Sequence, residues 1–416
     1  MKKKTCDALI VGGGAAGMMA ALTAARRGLS VLLIEKNAEL GRKLLLTGKG
    51  RCNLTNDSSP REVMSSVPRN GKFLYSSLTR FPPQAVMDFF ESIGVPVKVE
   101  RGGRVFPVSD RAGDVVMGLE RAMRDAGVRV RRDTVTGIAA ECGAVTGVTV
   151  REGLLEAPSV LISTGGLSYP RTGSTGDGYR FAAKFGHTIV PCEPSLVPLE
   201  CAGDDCGKMQ GLSLRNIAIT VRSEQDKTVY RDFGEMLFTH FGVSGPVILS
   251  ASAHMQGGRG YTIEIDLKPA LDEKKLDLRL LRDLEAGKNR DFSNILAGLV
   301  HPLMIPAVIG RTGIDGSTKA NSITKEQRRS LLRLLKCFEL KVSAKRPIEE
   351  AVITSGGVST NEIDPATMCS KLVKGLYFAG EIIDADAYTG GFNLQIAWST
   401  GRAAGESFPG GSPGPE

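Results

Sequence analysis

Apolar and polar positions fall into sharp blocks near the amino end. Residues 8–11 form an unbroken apolar run of strand length that stops at Gly12-Gly13-Gly14. Residues 15–27 are alanine-rich and end at Gly28, which predicts a helix closed by glycine. A second apolar run, 31–34, ends on Glu35. Further on, the spacing predicts helices over 84–93 and about 112–126, and a strand beginning near 128 that ends at Thr134-Val135. Residues 144–166 read as a three-stranded meander returning to a buried strand over 160–163, and Asp177 reads as the cap of a helix running to Phe185. Between 191 and 350, strand-like runs (SLVPLE, LRNIAITVRSE, KTVYRD, YTIEIDL) alternate with helical ones (GPVILSASAHM, LDEKKLDLRLLRDLEAG, TKEQRRSLLRLLKCF). The last elements are a strand over 376–379 and a helix opened by Gly390-Gly391 and running to about 405.

This order predicts an α/β protein. A chain of 416 residues exceeds one ordinary core. The expected division is a Rossmann-like domain built from both chain ends (1–190 and 351–407) around an inserted substrate domain (191–350). That insertion should be mixed β/α, β-rich first and helical later. The tail, 408–416, has a disordered composition.

The first strand, turn, helix and second strand carry chemistry. Gly12, Gly14 and Gly17 stand in a G-x-G-x-x-G spacing: one for a tight turn, one for a pyrophosphate reaching the backbone, one for close helix–strand packing. The helix start at Ala15 and Ala16 offers unpaired N–H groups and a positive dipole end to that pyrophosphate. Glu35 stands where a carboxylate accepts hydrogen bonds from ribose hydroxyls, with Lys36 beside it. An acid there suits a free ribose diol, so FAD or NAD fits better than NADP.

Composition narrows the rest. Apolar residues make up 42% and charged residues 24%, as in a soluble globular protein, and no run approaches the ~18 apolar residues of a membrane helix. MKKKTCD leads straight into the first strand rather than into a secretory signal, which argues for the cytoplasm. The eight cysteines and four histidines are scattered, with only Cys201 and Cys206 close together, so metal binding is not expected. The net charge of +8 is dispersed and aromatic content is 6%, without a basic–aromatic platform. The expectation is therefore no nucleic-acid partner, but a basic protein holding anionic cofactors and an anionic small-molecule substrate.

Three further blocks look like ligand loops. Residues 41–56, GRKLLLTGKGRCNLTN, interleave glycines with Arg42, Lys43, Lys49 and Arg51, with Cys52 and Asn53 behind, and offer backbone donors and cations to phosphate. Residues 164–177 form a polar glycine loop at a strand's carboxyl end, where α/β folds bind ligands. The helix opened by Gly391, Asn393, Leu394 and Gln395 aims its positive end at a flavin's pyrimidine edge, where N–H donors favour hydride acceptance. Cys52 has no CxxC partner and reads as packing.

The 41–56 block resembles the signature G-R-K-x-L-x-[ST]-G-x-G-R-C-N-x-T-N of the bacterial flavoprotein family containing BaiN, RdsA and aminoacetone oxidase, at every fixed position. The blocks GGLSYPRTGSTGDG, GEMLFTHFGVSGP, GLYFAGE and TGGFNLQ are similar to that family too, with Cys369 in place of an acid and Phe392 in place of tyrosine. The resemblance spans nearly the whole chain and reaches, more distantly, the fumarate reductase and succinate dehydrogenase flavoproteins. It implies FAD lying along Arg42, Lys43, Gly48, Arg51, Cys52 and Asn53. Contacts are also expected at Val135, Thr164, Gly165, Gly380 and Glu381.

An FAD site without CxxC, metal or heme motifs leaves hydride and electron transfer. The first expectation is NAD(P)H-linked reduction of an activated C=C bond. The resemblance suggests, concretely, the Δ4 and Δ6 double bonds of 3-oxo bile acids. Tyr169, His240 and Tyr388 are the candidate proton donors, although a lone histidine such as His240 is more often structural. The alternatives are an amine oxidase of the aminoacetone type and, third, a non-catalytic or RNA-associated flavoprotein.

Overall fold

The computed structural model describes residues 5–410. The chain divides into two compact units, one made of residues up to Ser195 together with those from Ile348 onward, the other of Leu196–Pro347.

The first unit is built on a five-stranded parallel sheet. β1 (Ala8–Val11) is central and fully buried. The helix α1 (Ala15–Arg26) leads to β2 (Val31–Glu35), parallel to β1 on one side. On its other side β1 pairs with the strand Ser159–Ile162, which in turn pairs with Leu376–Phe378. Beyond β2 the sheet ends on Arg129–Arg132. The chain order thus reverses at β1, and the crevice at the carboxyl ends of β1 and Ser159–Ile162 is a topological switch point, where open α/β sheets bind ligands.

The meander begins earlier than expected, with Gly137–Glu141 ahead of Ala144–Val150 and Gly153–Glu156, antiparallel throughout. Thr55–Asn56, Arg104–Pro107 and Val97–Glu100 form a small antiparallel sheet. The strands Ile189–Ser195 and Ile353–Val358, one leaving the unit and one returning to it, pair antiparallel.

The carboxyl-terminal helix Phe392–Ser407 packs along α1 through small residues. A Cβ at Gly401 would lie 2.4 Å from the Ala16 carbonyl oxygen, and one at Gly405 would lie 2.6 Å from that of Ala20. The helix is anchored on its other side by Trp398, fully buried, whose indole donates to the Leu54 carbonyl (2.9 Å) and meets Phe90 edge-on.

Two expectations need correction. Asp177 does not cap its helix: Gly176, left-handed, holds the cap position and Asp177 is the first residue inside. Phe408, placed in a disordered tail, is buried, and Arg27 donates to the carbonyls of Phe408 (3.0 Å) and Gly410 (2.9 Å). A guanidinium fork can hold backbone oxygens as firmly as a strand does, and composition cannot register it. Residues 411–416 of that tail lie outside the described residues.

The second unit is a closed six-stranded barrel with helices after its fifth strand. Around the barrel the strands run Leu199–Cys201, Gly242–Ser244, Thr228–Phe238, Ser213–Ser223, Tyr261–Asp266 and Phe338–Lys345. The closing strand, Phe338–Lys345, was missing from the sequence reading. It alternates buried and exposed positions, but its start lies inside the run read as helix.

His187, in the first unit, has a fully buried side chain with Nε2 2.8 Å from Ser370 Oγ and Nδ1 3.3 Å from Glu362. Burial lowers its pKa below the ordinary value, outweighing the pull of Glu362. The folded chain therefore keeps a neutral ring that the unfolded chain protonates near pH 6.5. The stability this provides is present above that pH and is lost as pH falls through it. The urea midpoint should drop between pH 7.5 and 5.5, and the drop should shrink in a His187→Asn chain.

Candidate functional site

At the switch point lies a cleft, partly open to solvent and lined wholly by residues of the first unit.

One flank is the β1–α1 turn. Gly12 has φ +103°, and a Cβ there would stand 2.7 Å from the Ser163 carbonyl oxygen. At Gly17 a Cβ would reach within 2.0 Å of the Gly12 carbonyl, so helix and turn touch backbone to backbone. At Gly14 a Cβ would meet nothing within 4 Å: this is the cradle a bulky anion needs. Helix α1 has no capping side chain and no acid in its first turn, so its leading N–H groups face the cleft at Ala15 and Ala16.

Glu35 ends β2 and is 8% exposed. Its Oε2 accepts from the Gly13 amide (2.7 Å), and Oε1 accepts from the Asn37 amide (2.8 Å) and side chain (2.7 Å). These bonds orient the carboxylate and leave lone pairs for a ligand hydroxyl. Lys36 donates to Thr175 (2.7 Å) and Asp177 (2.6 Å), drawing the 164–177 loop against the end of β2. Burial pushes the Asp177 carboxyl up, but Lys36 and Thr175 pull harder and leave it below its usual range.

Deeper in, Lys43 donates to Ser168 (2.6 Å) and pairs with Glu381, whose other oxygen accepts from Ser168 (2.8 Å) and the Thr354 amide (3.0 Å). Thr354 in turn accepts from the amides of Leu167 and Ser168. Thr164 Oγ1, on the cleft wall, is buried without a hydrogen-bond partner among the described residues. The far flank is the amino end of the helix Phe392–Ser407, uncapped by any side chain, with Asn393 and Leu394 on the wall.

The cleft thus gathers Gly12, Gly14, Ala15, Ala16, Glu35, Lys36, Arg42, Lys43, Val135, Thr164, Gly165, Gly380, Glu381, Asn393 and Leu394. Gly17 and Gly391 are off the wall where backbone packs closely on backbone, and Gly48 is off it too, exposed beside Asn53 and Phe106.

Besides these three glycines, four more expected cofactor contacts lie off the wall. Arg51 stacks 4.0 Å over Phe106 and pairs with Glu100 and Asp110. Gln395 is fully buried and spent on the protein, accepting from Thr55 (2.5 Å) and donating to the Phe81 carbonyl (2.8 Å) and Ser399 (2.9 Å). Asn53 and Cys52 do not reach the wall either, though Asn53 Oδ1 is buried without a partner among the described residues, 3.0 Å from where a Gly391 Cβ would be.

Cys52 is fully buried in a left-handed conformation, φ +61°, and burial pushes its thiol up to about 12. Iodoacetamide at pH 8 should leave it unmodified in the folded protein while labelling the exposed Cys142, as read by peptide mass spectrometry.

None of the three candidate proton donors lines the cleft. Tyr169 has the Lys43 ammonium 5.9 Å from its ring centroid and a left-handed backbone, φ +52°. The Tyr388 amide donates to the Ser66 carbonyl (2.9 Å). His240 belongs to the second unit, edge-on to Phe241. Sequence reasoning missed Ser163, Ser168 and Thr354, whose bonds hold the wall. Ser163 Oγ donates to the carbonyls of Val11 (3.0 Å) and Gly12 (3.1 Å) and so fixes the two strand ends together.

Comparison with known proteins agrees with this geometry. The HI0933-like protein Rossmann domain matches residues 6–407. The 3-dehydro-bile acid delta(4,6)-reductase of Clostridium scindens is 30% identical over 96% of this chain and 98% of its own. The ribosomal RNA dihydrouridine synthase of Escherichia coli is 32% identical over 97% and 98%. Among solved structures, the 3-ketosteroid-delta4-(5alpha)-dehydrogenase of Rhodococcus jostii shares the fold, with a TM-score of 0.52 at 14% identity over 97% of each chain. The parallel sheet, the glycine turn and the match over almost the full length place the chain in the HI0933-like family of oxidoreductases, whose Rossmann domain is of the FAD-binding type.

Proposed function

We propose that the protein is an FAD-dependent reductase that takes hydride from NADH or NADPH and saturates a C=C bond conjugated to a carbonyl. The observation that carries this reading is that one continuous cleft has a pyrophosphate cradle on one flank and an uncapped helix amino end on the other. The amides of Ala15 and Ala16 would hold the pyrophosphate and Glu35 the adenosine ribose. Glu381, fixed by Lys43 and Ser168, would face the ribityl chain. FAD bound there supplies a two-electron carrier that accepts and passes on hydride. The amino end of Phe392–Ser407 would offer N–H donors and a positive dipole to a ring that gains negative charge on reduction.

Both similar reductive relatives fit this chemistry. A delta(4,6)-reductase of 3-dehydro bile acids acts on double bonds conjugated to an oxo group, and dihydrouridine is uridine with its C5–C6 bond saturated next to a carbonyl. The 3-oxo-4,6-dienoyl bile acid is the first substrate to test. Uridine in ribosomal RNA is the second reading, favoured by the 32% identity to the Escherichia coli enzyme.

Anaerobic stopped-flow with the FAD-loaded protein tests the proposal. NADH or NADPH should bleach the flavin, and the dienone should restore its colour, with loss of dienone absorbance. For the second reading, ribosomal RNA replaces the dienone and dihydrouridine is counted by nucleoside mass spectrometry. Bleaching only by an amine, with oxygen restoring the colour, would establish the oxidase alternative instead.

A further inference from the structure

A buried charge beside the cleft is not explained by holding the cofactor. Asp386 is 3% exposed, in a loop whose preceding residue, Ala385, lines the cleft. Its Oδ2 accepts from Ser195 Oγ (2.7 Å) and its Oδ1 from Ser355 Oγ (2.9 Å). Ser355 lies two positions along the same strand from Ile353, another lining residue, and therefore on the same strand face. The positive charge facing this carboxylate is Arg69: its Nη2 lies 3.9 Å from Oδ1 and donates to Ser355 Oγ. A carboxylate taken out of water costs several kcal/mol unless it is paired, so the fold keeps Asp386 at a cost and seats a guanidinium on it.

The bland explanation is a tether for residues 66–70. That tether already exists without Arg69. Ser66 accepts from the Tyr388 amide (2.9 Å), and the Asn70 side chain donates to both the carbonyl (2.7 Å) and the carboxylate (2.9 Å) of Asp384. Arg69 itself is 42% exposed, and among the described residues only its Nη2 has protein partners. Three N–H donors of a fixed planar fork, on Nε and Nη1, remain available. The same loop runs on to Ala387 and Tyr388, whose backbone is held by the Asn393 side chain on the cleft wall (2.8 and 2.7 Å at Ala387). Arg69 therefore sits against the loop and the strand that supply Ala385 and Ile353 to the cleft wall.

We infer that Arg69, seated on Asp386, is an anchor for a substrate oxyanion, a carboxylate or a phosphate, beside that wall of the cleft. Asp386 is a positioning residue: it fixes the guanidinium plane and takes no part in the chemistry. The inference rests on the reductase reading. It adds that the substrate carries an anionic group apart from its conjugated carbonyl, and that this group sets specificity.

The test compares paired substrates on FAD-loaded wild type, Arg69→Gln, Arg69→Lys and Asp386→Asn chains. A 3-oxo-4,6-dienoyl bile acid is set against its methyl ester, and a uridine-containing RNA oligonucleotide against the free nucleoside. Wild type should prefer the charged member of one pair, and which pair identifies a carboxylate or a phosphate source. In Arg69→Gln that preference, as a ratio of kcat/KM values, should collapse by about 10- to 100-fold, mainly through KM. Arg69→Lys should keep part of it, since the charge stays and the fork is lost. Asp386→Asn should lower it less than Arg69→Gln. The flavin spectrum and thermal midpoint of each chain report folding separately. An unchanged ratio in folded Arg69→Gln overturns the anchor while leaving the reductase reading intact. A wild type that reduces neither pair overturns the reductase reading, and the anchor with it.

Discussion

A Gly17→Ala chain is expected to lose FAD during gel filtration and to bind added FAD roughly 100-fold more weakly than wild type. The reason is geometric: the new methyl would stand 2.0 Å from the Gly12 carbonyl oxygen and 2.6 Å from Ser163 Oγ. Neither neighbour can give way freely. Gly12 donates its amide to Ile34 (2.9 Å), and Ser163 is tied to both β1 and the glycine turn. The start of α1 must therefore move, and the N–H groups at Ala15 and Ala16 move with it. Hydrogen bonds to a charged group are worth about 1.5–3 kcal/mol each, so losing their alignment should cost roughly 100-fold in FAD affinity. Absorbance near 450 nm after gel filtration, together with fluorescence titration of added FAD, checks the result. A yellow Gly17→Ala protein with wild-type affinity would remove the glycine turn from the cofactor argument.

Gly401→Val should have the next largest effect, through the other helix. The two helices whose amino ends face the cleft touch backbone to backbone at Ala16 and Gly401. A valine places branched carbons where 2.4 Å is available, and the Trp398 anchor to Leu54 stops the helix sliding away. Overpacking of this kind costs about 1–3 kcal/mol, and the fully buried neighbours place the cost at the upper end. The expected outcome is a lower urea midpoint and weaker FAD retention together. Gly401→Ala should show the same pair of changes at smaller size. Lowered stability with undiminished FAD affinity would show that the helix seam does not set the position of the two amino ends.

The amino-terminal half of the site was legible because its logic is local. Gly12, Gly14, Gly17 and Glu35 lie within one strand–helix–strand passage, and each spacing encodes a steric requirement. What could not be read depends on partners far along the chain. Thr354 holds Leu167 and Ser168, Glu381 holds Lys43, and Gln395 spends its amide on Thr55 and Phe81. Gln395 and Arg51 have the right chemistry for a cofactor contact and were expected as such, yet nearer protein partners satisfy them. No local pattern separates a polar side chain facing a ligand from one facing its own backbone. The missed barrel strand, Phe338–Lys345, has a different cause. It is the last strand of a closed sheet, and its period-two pattern follows a helix with no glycine or proline between them.

The antiparallel pair Ile189–Ser195 and Ile353–Val358 places Ser195 directly opposite Ile353. The peptide chain therefore crosses out of the Rossmann body and back into it at one doorway. Leu199 likewise faces Lys345 at the start and end of the barrel. Because each pair of ends is already held together by hydrogen bonds, lengthening or exchanging what lies between them adds little closure entropy to the body that hosts it. Such a junction lets the inserted barrel change in length or sequence without disturbing the sheet that carries the cleft.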